Sequence, residues 1–437
     1  MSWANYLEDV KEKTFHRASG RVVKVSSLSI EAVGLTGNIG DICVIEKSSN
    51  GYAEILAQII SQSTKVTILM PFGDTDGIGI DSEVRCLNEP LKIMVGDILL
   101  GHVIDPLGNS LSAMSSNGLY EKLVIKGVKH NPLTRQKISN YLTTGVRAID
   151  AFLSIGMGQR IGIFSGSGVG KSTLLGMIAK NSFADVNVIA LIGERGREVN
   201  DFIHNTLGKD GLAKSVIIVA TADQPTLIRE LAAHTATSVA EYFSNKNKNV
   251  LLIMDSVTRF AMARREIGLS IGEPATARGY TPSTFTELPK LIERAGNFNG
   301  RGSITGIYTV LVEGDDLNEP VSDHMRAILD GHIVLSRELA NHNHYPAIDV
   351  LKSISRLAND IWTKKEKEIV KQALKLLSIR EKHKDMVEIG AYKTGSNAEL
   401  DRALEVYTKL ESFLVQEDVE PLQREALFDE LNMIVSS

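Results

Sequence analysis

The 437-residue chain reads as an α/β protein: a parallel-sheet core with an N-terminal β-barrel and a C-terminal helical domain. Three observations predict this. Within residues 90–361, near-continuous apolar runs alternate with helical patterns: VNVIALIG with REVNDFIHNTL, SVIIVAT with PTLIRELAAHTATSVAEYF, NVLLIMD with SVTRFAMARREI. Strands that are apolar on both faces belong to a parallel sheet covered by helices on either side. Residues 19–89 instead hold the short β-rich runs RVVKV, SIEAV, DICVIEK, AEILAQII and KVTILM, punctuated by turns such as Gly34-Leu35-Thr36-Gly37 and Ser48-Ser49-Asn50-Gly51. A small closed barrel is the economical arrangement, because it leaves no strand edge exposed. Residues 362–437 are helical throughout: Ile369, Ala373, Leu376 and Leu377 mark one apolar face, Leu400, Leu404, Leu410 and Phe413 another, and Pro421 is placed to open a last helix.

Two segments complete the order. Residues 1–18 set Trp3, Leu7 and Val10 at helical spacing among charged neighbours, an amphipathic helix that either packs on its own domain or docks on a partner. The first part of the 90–361 unit, up to Asp150, is connecting chain with turns at Asp105-Pro106-Leu107-Gly108-Asn109 and Asn131-Pro132. The Lys364, Lys365, Lys367 cluster suits a solvated helix face or a partner contact.

Composition narrows the function classes. Hydrophobic content of 43% and charged content of 23% are those of an ordinary soluble protein. A formal net charge of −5 supplies no general attraction to nucleic acid. No apolar run approaches the ~18 residues of a membrane span, and Glu8 and Asp9 interrupt the place where an export signal would need apolar residues. Cys43 and Cys86 are the only cysteines, and two thiols far apart in so long a chain read as reduced, without a disulfide or metal framework.

The chemistry begins at Gln159–Leu175, QRIGIFSGSGVGKSTLL. An apolar strand ending at Phe164 feeds the loop Ser165-Gly166-Ser167-Gly168-Val169-Gly170, and Lys171-Ser172-Thr173 open a helix with Leu174, Leu175, Met177 and Ile178 on its apolar face. This is a phosphate-binding P-loop. Its glycines let successive N–H groups turn toward phosphate oxygens, and the helix N-terminus adds positive potential. Lys171 is placed to reach the β- and γ-phosphates, and Ser172 to ligate Mg²⁺. Ser165 stands where the motif has its first glycine. Leu251–Asp255 is an apolar strand ending in a carboxylate, suited to hold Mg²⁺ or its water shell. Glu194, after the next strand, is positioned to polarise an attacking water; Glu198 better fits a helix N-terminal acid held by the dipole. Arg195 and Arg259 adjoin the two acids and bring further positive charge. Arg356 is, on these grounds alone, one arginine among many.

Eight ordered strings then carry a specific resemblance: YLTTGVRAID, GQRIGIFSGSGVGKST, GERGREV, TADQPTLIR, LLIMDSVTRFAMARREIGL, LPKLIERAG, LVEGDDLNEPVSDHMRAILDGHIVLSREL and YPAIDVLKSISR. From about Gly20 to about Val415 the chain resembles the rotary-type hexameric ATPases related to the ATP synthase β subunit, and within them most resembles the flagellar and type III secretion export ATPases. The resemblance implies a RecA-like core, ATP and Mg²⁺ as cofactors, Lys171 as the P-loop lysine, Ser172 and Asp255 at the metal, and Glu194 as the catalytic carboxylate. It also implies Arg195 and Arg259 as phosphate-sensing arginines, Tyr345 packing on adenine, and Arg356 as an arginine finger reaching a neighbour's nucleotide. In such export ATPases a small residue commonly replaces the glycine at the position of Ser165.

For function, the resemblance implies a homo-hexamer, cytoplasmic and peripheral at the inner face of the cell membrane. Its expected partners are a regulatory stator-like protein at the N-terminal segment, a central stalk-like export protein, chaperone–substrate complexes and a membrane export gate, with no nucleic acid. Its hydrolysis would release substrates from chaperones and deliver them to the gate. Beside the flagellar reading stand an injectisome ATPase and a catalytic subunit of a rotary ATP synthase. A non-catalytic ring subunit would lack Glu194. An RNA-translocating helicase would need exposed barrel aromatics, of which residues 20–87 hold only Tyr52 and Phe72.

Overall fold

Six short strands, alternating between buried and more exposed positions most clearly in the first, second and fourth, form toward the N-terminal end of the chain: β1 (Ser19–Val25), β2 (Ile30–Val33), β3 (Asp41–Glu46), β4 (Glu54–Gln62), β5 (Thr67–Pro71) and β6 (Glu83–Pro90). In this computed structural model, which describes residues 19–47, 54–112, 119–125, 127, 131–417 and 422–437, they close into a barrel of order β1-β2-β5-β4-β3-β6, with β1 pairing β6. Val22, Ile30, Ala32, Ile45, Leu69 and Val84 fill it. Phe72 is buried rather than available for base stacking. Cys43 and Cys86, far apart in sequence, are register partners across β3 and β6. The expected helix of residues 1–18 with Trp3, Leu7 and Val10, the turn at Ser48–Gly51, Tyr52 and Pro421 lie outside the described residues.

Two small ladders follow the barrel. One pairs β7 (Lys92–Val95) with β9 (Glu121–Val124); the other pairs β10 (Tyr141–Leu142) with β11 (Ile155–Gly156). Between β7 and β9 the chain lends β8 (His102–Ile104) to the edge of the main sheet, so the connecting region is partly built into the core. The remaining strands are β12 (Arg160–Ser165), β13 (Val186–Glu194), β14 (Ser215–Thr221), β15 (Val250–Asp255), β16 (Ile304–Leu311), β17 (Gly331–Leu335) and β18 (Ile348–Ser355). With β8 they form an eight-stranded sheet of order β18-β17-β12-β16-β15-β13-β14-β8.

Every adjacent pair in this sheet is parallel except β17 with β18. The exception follows from connection length: residues 336–347 contain only a five-residue helix, Arg337–Asn341, so the chain returns beside β17 rather than crossing over the sheet. Val188, Ile189, Ala190 and Leu191 of β13 are all buried, the mark of a strand between two helical layers. Burial of each large side chain of this kind contributes about 1.5–3 kcal/mol. Because the crossovers run in one sense, the carboxyl ends of the parallel strands and their loops gather at a single edge.

Helices Lys364–Lys382, Ala398–Leu414 and Arg424–Ser436 pack on one another through Ile369, Ala373, Leu377, Leu410, Phe413 and Leu431. The first is fastened by a capping box in which Thr363 and Glu366 satisfy each other's backbone donors. The helices are tied to the core by Trp362, whose Nε1 donates to Ser154 Oγ (2.9 Å), and by the side chain of Gln416, which donates to the Gly145 carbonyl and accepts from the Arg147 amide. Among the described residues no helix is long and apolar enough to cross a membrane.

Candidate active site

At the carboxyl end of β12, Ser165 is the last strand residue, and its carbonyl accepts the Val312 amide at 2.9 Å. That extended, 1% exposed position explains why serine is tolerated where the motif has glycine: no left-handed backbone is required there. The requirement comes later. Gly170 has φ +87° and caps the helix Lys171–Asn181, a conformation in which any Cβ would be strained. At Gly166 a Cβ would lie 2.5 Å from the tips of the Arg337 and Asp315 side chains, so the glycine lets that exposed pair close over the loop. Leu174, Leu175, Met177 and Ile178 bury the helix's apolar face and fix the loop to the sheet, while Ser172 and Thr173 stay exposed at its N-terminus. Val169 differs from its loop neighbours: its side chain is buried in the core, so only its backbone is available to a ligand.

The crossover from β12 skips two places in the sheet and emerges as β13, leaving a crevice at the carboxyl edge. Gly193 sits at a bulge in the β13–β14 register with φ +69°, which turns the next residue, Glu194, toward the P-loop. The Arg259 side chain packs across Gly193, where an added Cβ would meet its Cγ at 3.0 Å. Asp255 ends β15, 4% exposed. From the intervening strand β16, Thr309 Oγ1 donates to Asp255 Oδ1 at 2.7 Å.

These elements converge on Lys171. Its Nζ is 2.6 Å from Asp255 Oδ1 and 3.6 Å from Glu194 Oε1. Burial by itself would lower the Lys171 pKa, but the two carboxylates outweigh it and raise it, so the ammonium is held charged. Glu194 is pushed up to about 7, first by burial; Lys171 opposes this, while Asp255 and Glu198 add to it. A carboxyl tuned near neutrality in a cleft is suited to exchange a proton with water.

The cleft encloses about 690 Å³ and is lined by the P-loop, Gly193, Glu194, Arg195, Glu198, Thr258, Arg259, Glu313 and Arg337, among others. Arg195 is 78% exposed and 3.7 Å from Glu198, which occupies the first turn of helix Gly196–Asp201 as expected of a dipole-stabilised acid. The Tyr345 ring lies against Gly170, outside the lining of the cleft itself, and is 40% exposed.

Arg356 is not brought to this edge. It follows β18, which runs antiparallel, and its amide donates to the Asp330 carbonyl, whose own amide donates to Arg160 at the start of β12. It is therefore exposed at the opposite edge of the sheet, with its Nη2 on the Arg326 carbonyl at 3.1 Å.

Three residues of the cleft escaped sequence reasoning. Arg337 Nη1 donates to the Ser167 carbonyl at 3.2 Å while its Nε holds Asp315 at 3.1 Å; its place among the quoted strings was visible, its contact was not. Thr309 carries no motif. Glu198 was visible as an acid but not as a neighbour that acts on Glu194.

Whether the site suits a magnesium nucleotide is tested by atoms the protein leaves unused. Glu194 Oε1 and Arg259 Nε are buried without a hydrogen-bond partner. Beside them stand the turned glycine loop, a hydroxyl at Ser172 and a carboxylate at Asp255, the oxygen donors a hard divalent cation takes. The residues fit the group.

Comparison with known proteins gives the family. Residues 145–355 match the ATP synthase alpha/beta family, nucleotide-binding domain, and residues 362–433 match the T3SS EscN ATPase C-terminal domain. The chain is 47% identical over 429 residues to the flagellum-specific ATP synthase of Bacillus subtilis, covering 96% of each chain. It superposes on the assembled ATPase EscN from the enteropathogenic E. coli type III secretion system with a TM-score of 0.87 and 41% identity, covering 95% of this chain and 100% of that one. The structure of EscN in complex with its central stalk EscO matches equally, with a TM-score of 0.87. Together, the matched models, the near full-length identity and the shared architecture place this chain in the ATP synthase α/β family, among the flagellar and type III secretion export ATPases.

Proposed function

We propose that this ATP hydrolase works as one subunit of a homo-hexameric ring serving flagellar protein export, with each site shared between neighbouring copies. The observation that carries the chemistry is the placement of Lys171 between Asp255 and Glu194, at 2.6 and 3.6 Å, at the mouth of the P-loop. The P-loop amides and Lys171 bind and orient the phosphates; Ser172 and Asp255 hold Mg²⁺, which when bound neutralises charge on the phosphate oxygens. Glu194, ionised, accepts hydrogen bonds from the attacking water and takes up its proton at a free Oε. Arg195 and Arg259 add positive charge at the cleft, and Tyr345 offers an aromatic face for adenine beside Gly170. Arg356 faces away from its own cleft, which supports its acting on the site of the next copy.

The ring, the stalk-like partner and the position at the membrane rest on likeness to relatives. EscN has been solved assembled and in complex with its central stalk EscO, and this chain shares its fold at 41% identity over 95% of its length. The flagellar assignment over an injectisome is supported by 47% identity over 96% of the chain to the flagellum-specific relative, against 42% over 92% to the type 3 secretion system ATPase of Xanthomonas euvesicatoria, and the match of residues 362–433 to an export-ATPase C-terminal domain favours export over a synthase. On this reading residues 1–18 bind the regulatory stator-like protein, the ring lies in the cytoplasm against the inner face of the membrane, and hydrolysis frees substrates from chaperones for the export gate. The domain limits 1–18, 19–89, 90–361 and 362–437 are proposed as the working division. Glu194→Gln keeps shape but removes the charge, so the variant should bind ATP at wild-type affinity while phosphate release falls by about 10²-fold or more. Hydrolysis at the wild-type rate would remove Glu194 from the mechanism, and failure of the wild-type gene to restore swimming in a flagellar-ATPase-deficient bacterium would remove the flagellar assignment.

A further inference from the structure

Both cysteines of the chain lie in the barrel, outside the cleft, and the fold places them against each other. Cys43 on β3 and Cys86 on β6 are direct partners in an antiparallel register, next to a bulge between Asp41 and Cys43. Opposed residues of such a ladder share one face, with Cα atoms about 4.5–5.5 Å apart, inside the roughly 4.4–6.8 Å that a disulfide spans. Both thiols are free, and the register sets them opposite each other. The turn at Gly37 closes over them: a Cβ there would lie 2.7 Å from Cys86 Sγ, so this sulfur is confined beside Cys43.

We propose that Cys43 and Cys86 form a reversible oxidation site, which small-molecule disulfides convert to an intramolecular disulfide across the β3–β6 seam. The two thiols are not equivalent. Cys86 is partly exposed, so a small disulfide in solution can reach its Sγ, which the Asn88 amide faces at 3.4 Å. Cys43 is buried, and burial, Cys86 and Asp41 all hold its thiol in the protonated form.

Attack therefore starts at Cys86. Its thiolate forms a bond to one sulfur of the small disulfide and expels the other half as a thiolate. Cys43 then gives its proton to water, and its sulfur attacks Cys86 Sγ, expelling the second small thiol. Two protein thiols and one small disulfide become one protein disulfide and two small thiols, so atoms and electrons balance. Because β6 carries the chain out of the barrel at Pro90, the new bond fastens the exit strand to β3.

The test uses the full chain with oxidised glutathione, followed by intact mass and thiol counting after denaturation. The wild type should lose both thiols and the mass of two hydrogen atoms while remaining a single chain, recover both with dithiothreitol, and melt at a higher temperature when oxidised. Cys43→Ser should stop at one glutathione adduct on Cys86; Cys86→Ser should remain unmodified. Both serine variants should hydrolyse ATP at the wild-type rate in reducing buffer, which shows them folded. Retention of both thiols by the wild type, arrest at a glutathione adduct, or formation only of chain-to-chain disulfides would overturn the proposal.

Discussion

One sheet presents two unlike edges. At the carboxyl edge, Lys171, Asp255 and Glu194 converge, and two buried polar atoms there, Glu194 Oε1 and Arg259 Nε, have no hydrogen-bond partner. At the amino edge, Arg356 is exposed and donates from Nη2 to the Arg326 carbonyl. The first edge gathers acids, Lys171 and the arginines Arg195, Arg259 and Arg337 around an open cleft, and the second presents an exposed cation. On the proposed reading, in which Arg356 serves a neighbour's site, one copy carries both halves of a reaction centre at opposite edges of one sheet. Ridding the protein of either half is therefore the most direct way to break the comparison.

The largest effect is expected from that experiment. Lys171→Ala should abolish both ATP binding and turnover, and Arg356→Ala should lower turnover by about 10³-fold, the scale of other arginine fingers. Each variant retains what the other lacks, so mixing them should recover part of the activity as mixed rings form. Phosphate release measured across mixing ratios checks this. Confirmed co-assembly with no recovery would mean that the two edges do not share a site.

Acid should produce the next largest effect, because it acts on the carboxyl edge alone. Glu194, raised to about 7 from an ordinary 4.5, must be ionised to polarise water, so kcat/KM should fall about tenfold per pH unit below about 7. The stability sign is opposite. Between about 4.5 and 7 the folded chain binds more protons at this group than the unfolded chain does, so the contribution of Glu194 to stability decreases as pH rises through that window. Activity lost in acid while the thermal midpoint holds would separate titration of Glu194 from unfolding; Glu194→Gln should flatten the profile.

A smaller change is expected at Thr309. Thr309→Val keeps the shape but removes the donor to Asp255 Oδ1, leaving Lys171 as the other partner of that oxygen. A net hydrogen bond to a charged group contributes about 1.5–3 kcal/mol; with Lys171 in place, the loss should appear mainly as a raised Mg²⁺ requirement, measured by titrating the metal at saturating ATP. An unchanged requirement would make Thr309 a packing residue only.

How much of this was legible in the sequence depends on range. The P-loop, the strand ending in Asp255 and the apolar alternation are local patterns, and the fold class followed from them because period and turn chemistry are local physics. Glu194 was legible as an acid after a strand, but the bulge at Gly193 that aims it depends on the register of β13 with β14, which no single segment encodes. The antiparallel return of β18 and the insertion of β8 into the sheet edge are likewise products of pairing across the chain. Thr309 was hidden because one threonine in an apolar strand carries no pattern, and Arg337, though inside a quoted string, gave no sign of its contact with the Ser167 carbonyl. Cys43 and Cys86 read as isolated thiols for the same reason, although the barrel makes them partners.

The smallest effect sharpens the account of Glu194 itself. Its elevated pKa has burial as the leading cause, and Glu198, one turn along in the first turn of helix Gly196–Asp201, adds like charge and a hydrogen bond to the protonated form. Glu198→Gln removes the charge and retains a side chain able to hydrogen-bond. The acid midpoint of kcat/KM should therefore move only a little toward lower pH, because the crowding of Glu194 against β13, Lys171 and the P-loop is untouched. Glu198 also faces Arg195 at 3.7 Å, an exposed pair whose loss should cost little stability. The measurement is the pH dependence of kcat/KM for the two chains side by side. A midpoint that falls all the way to the ordinary carboxylate range would show that Glu198, and not burial at the carboxyl edge, holds Glu194 near neutrality.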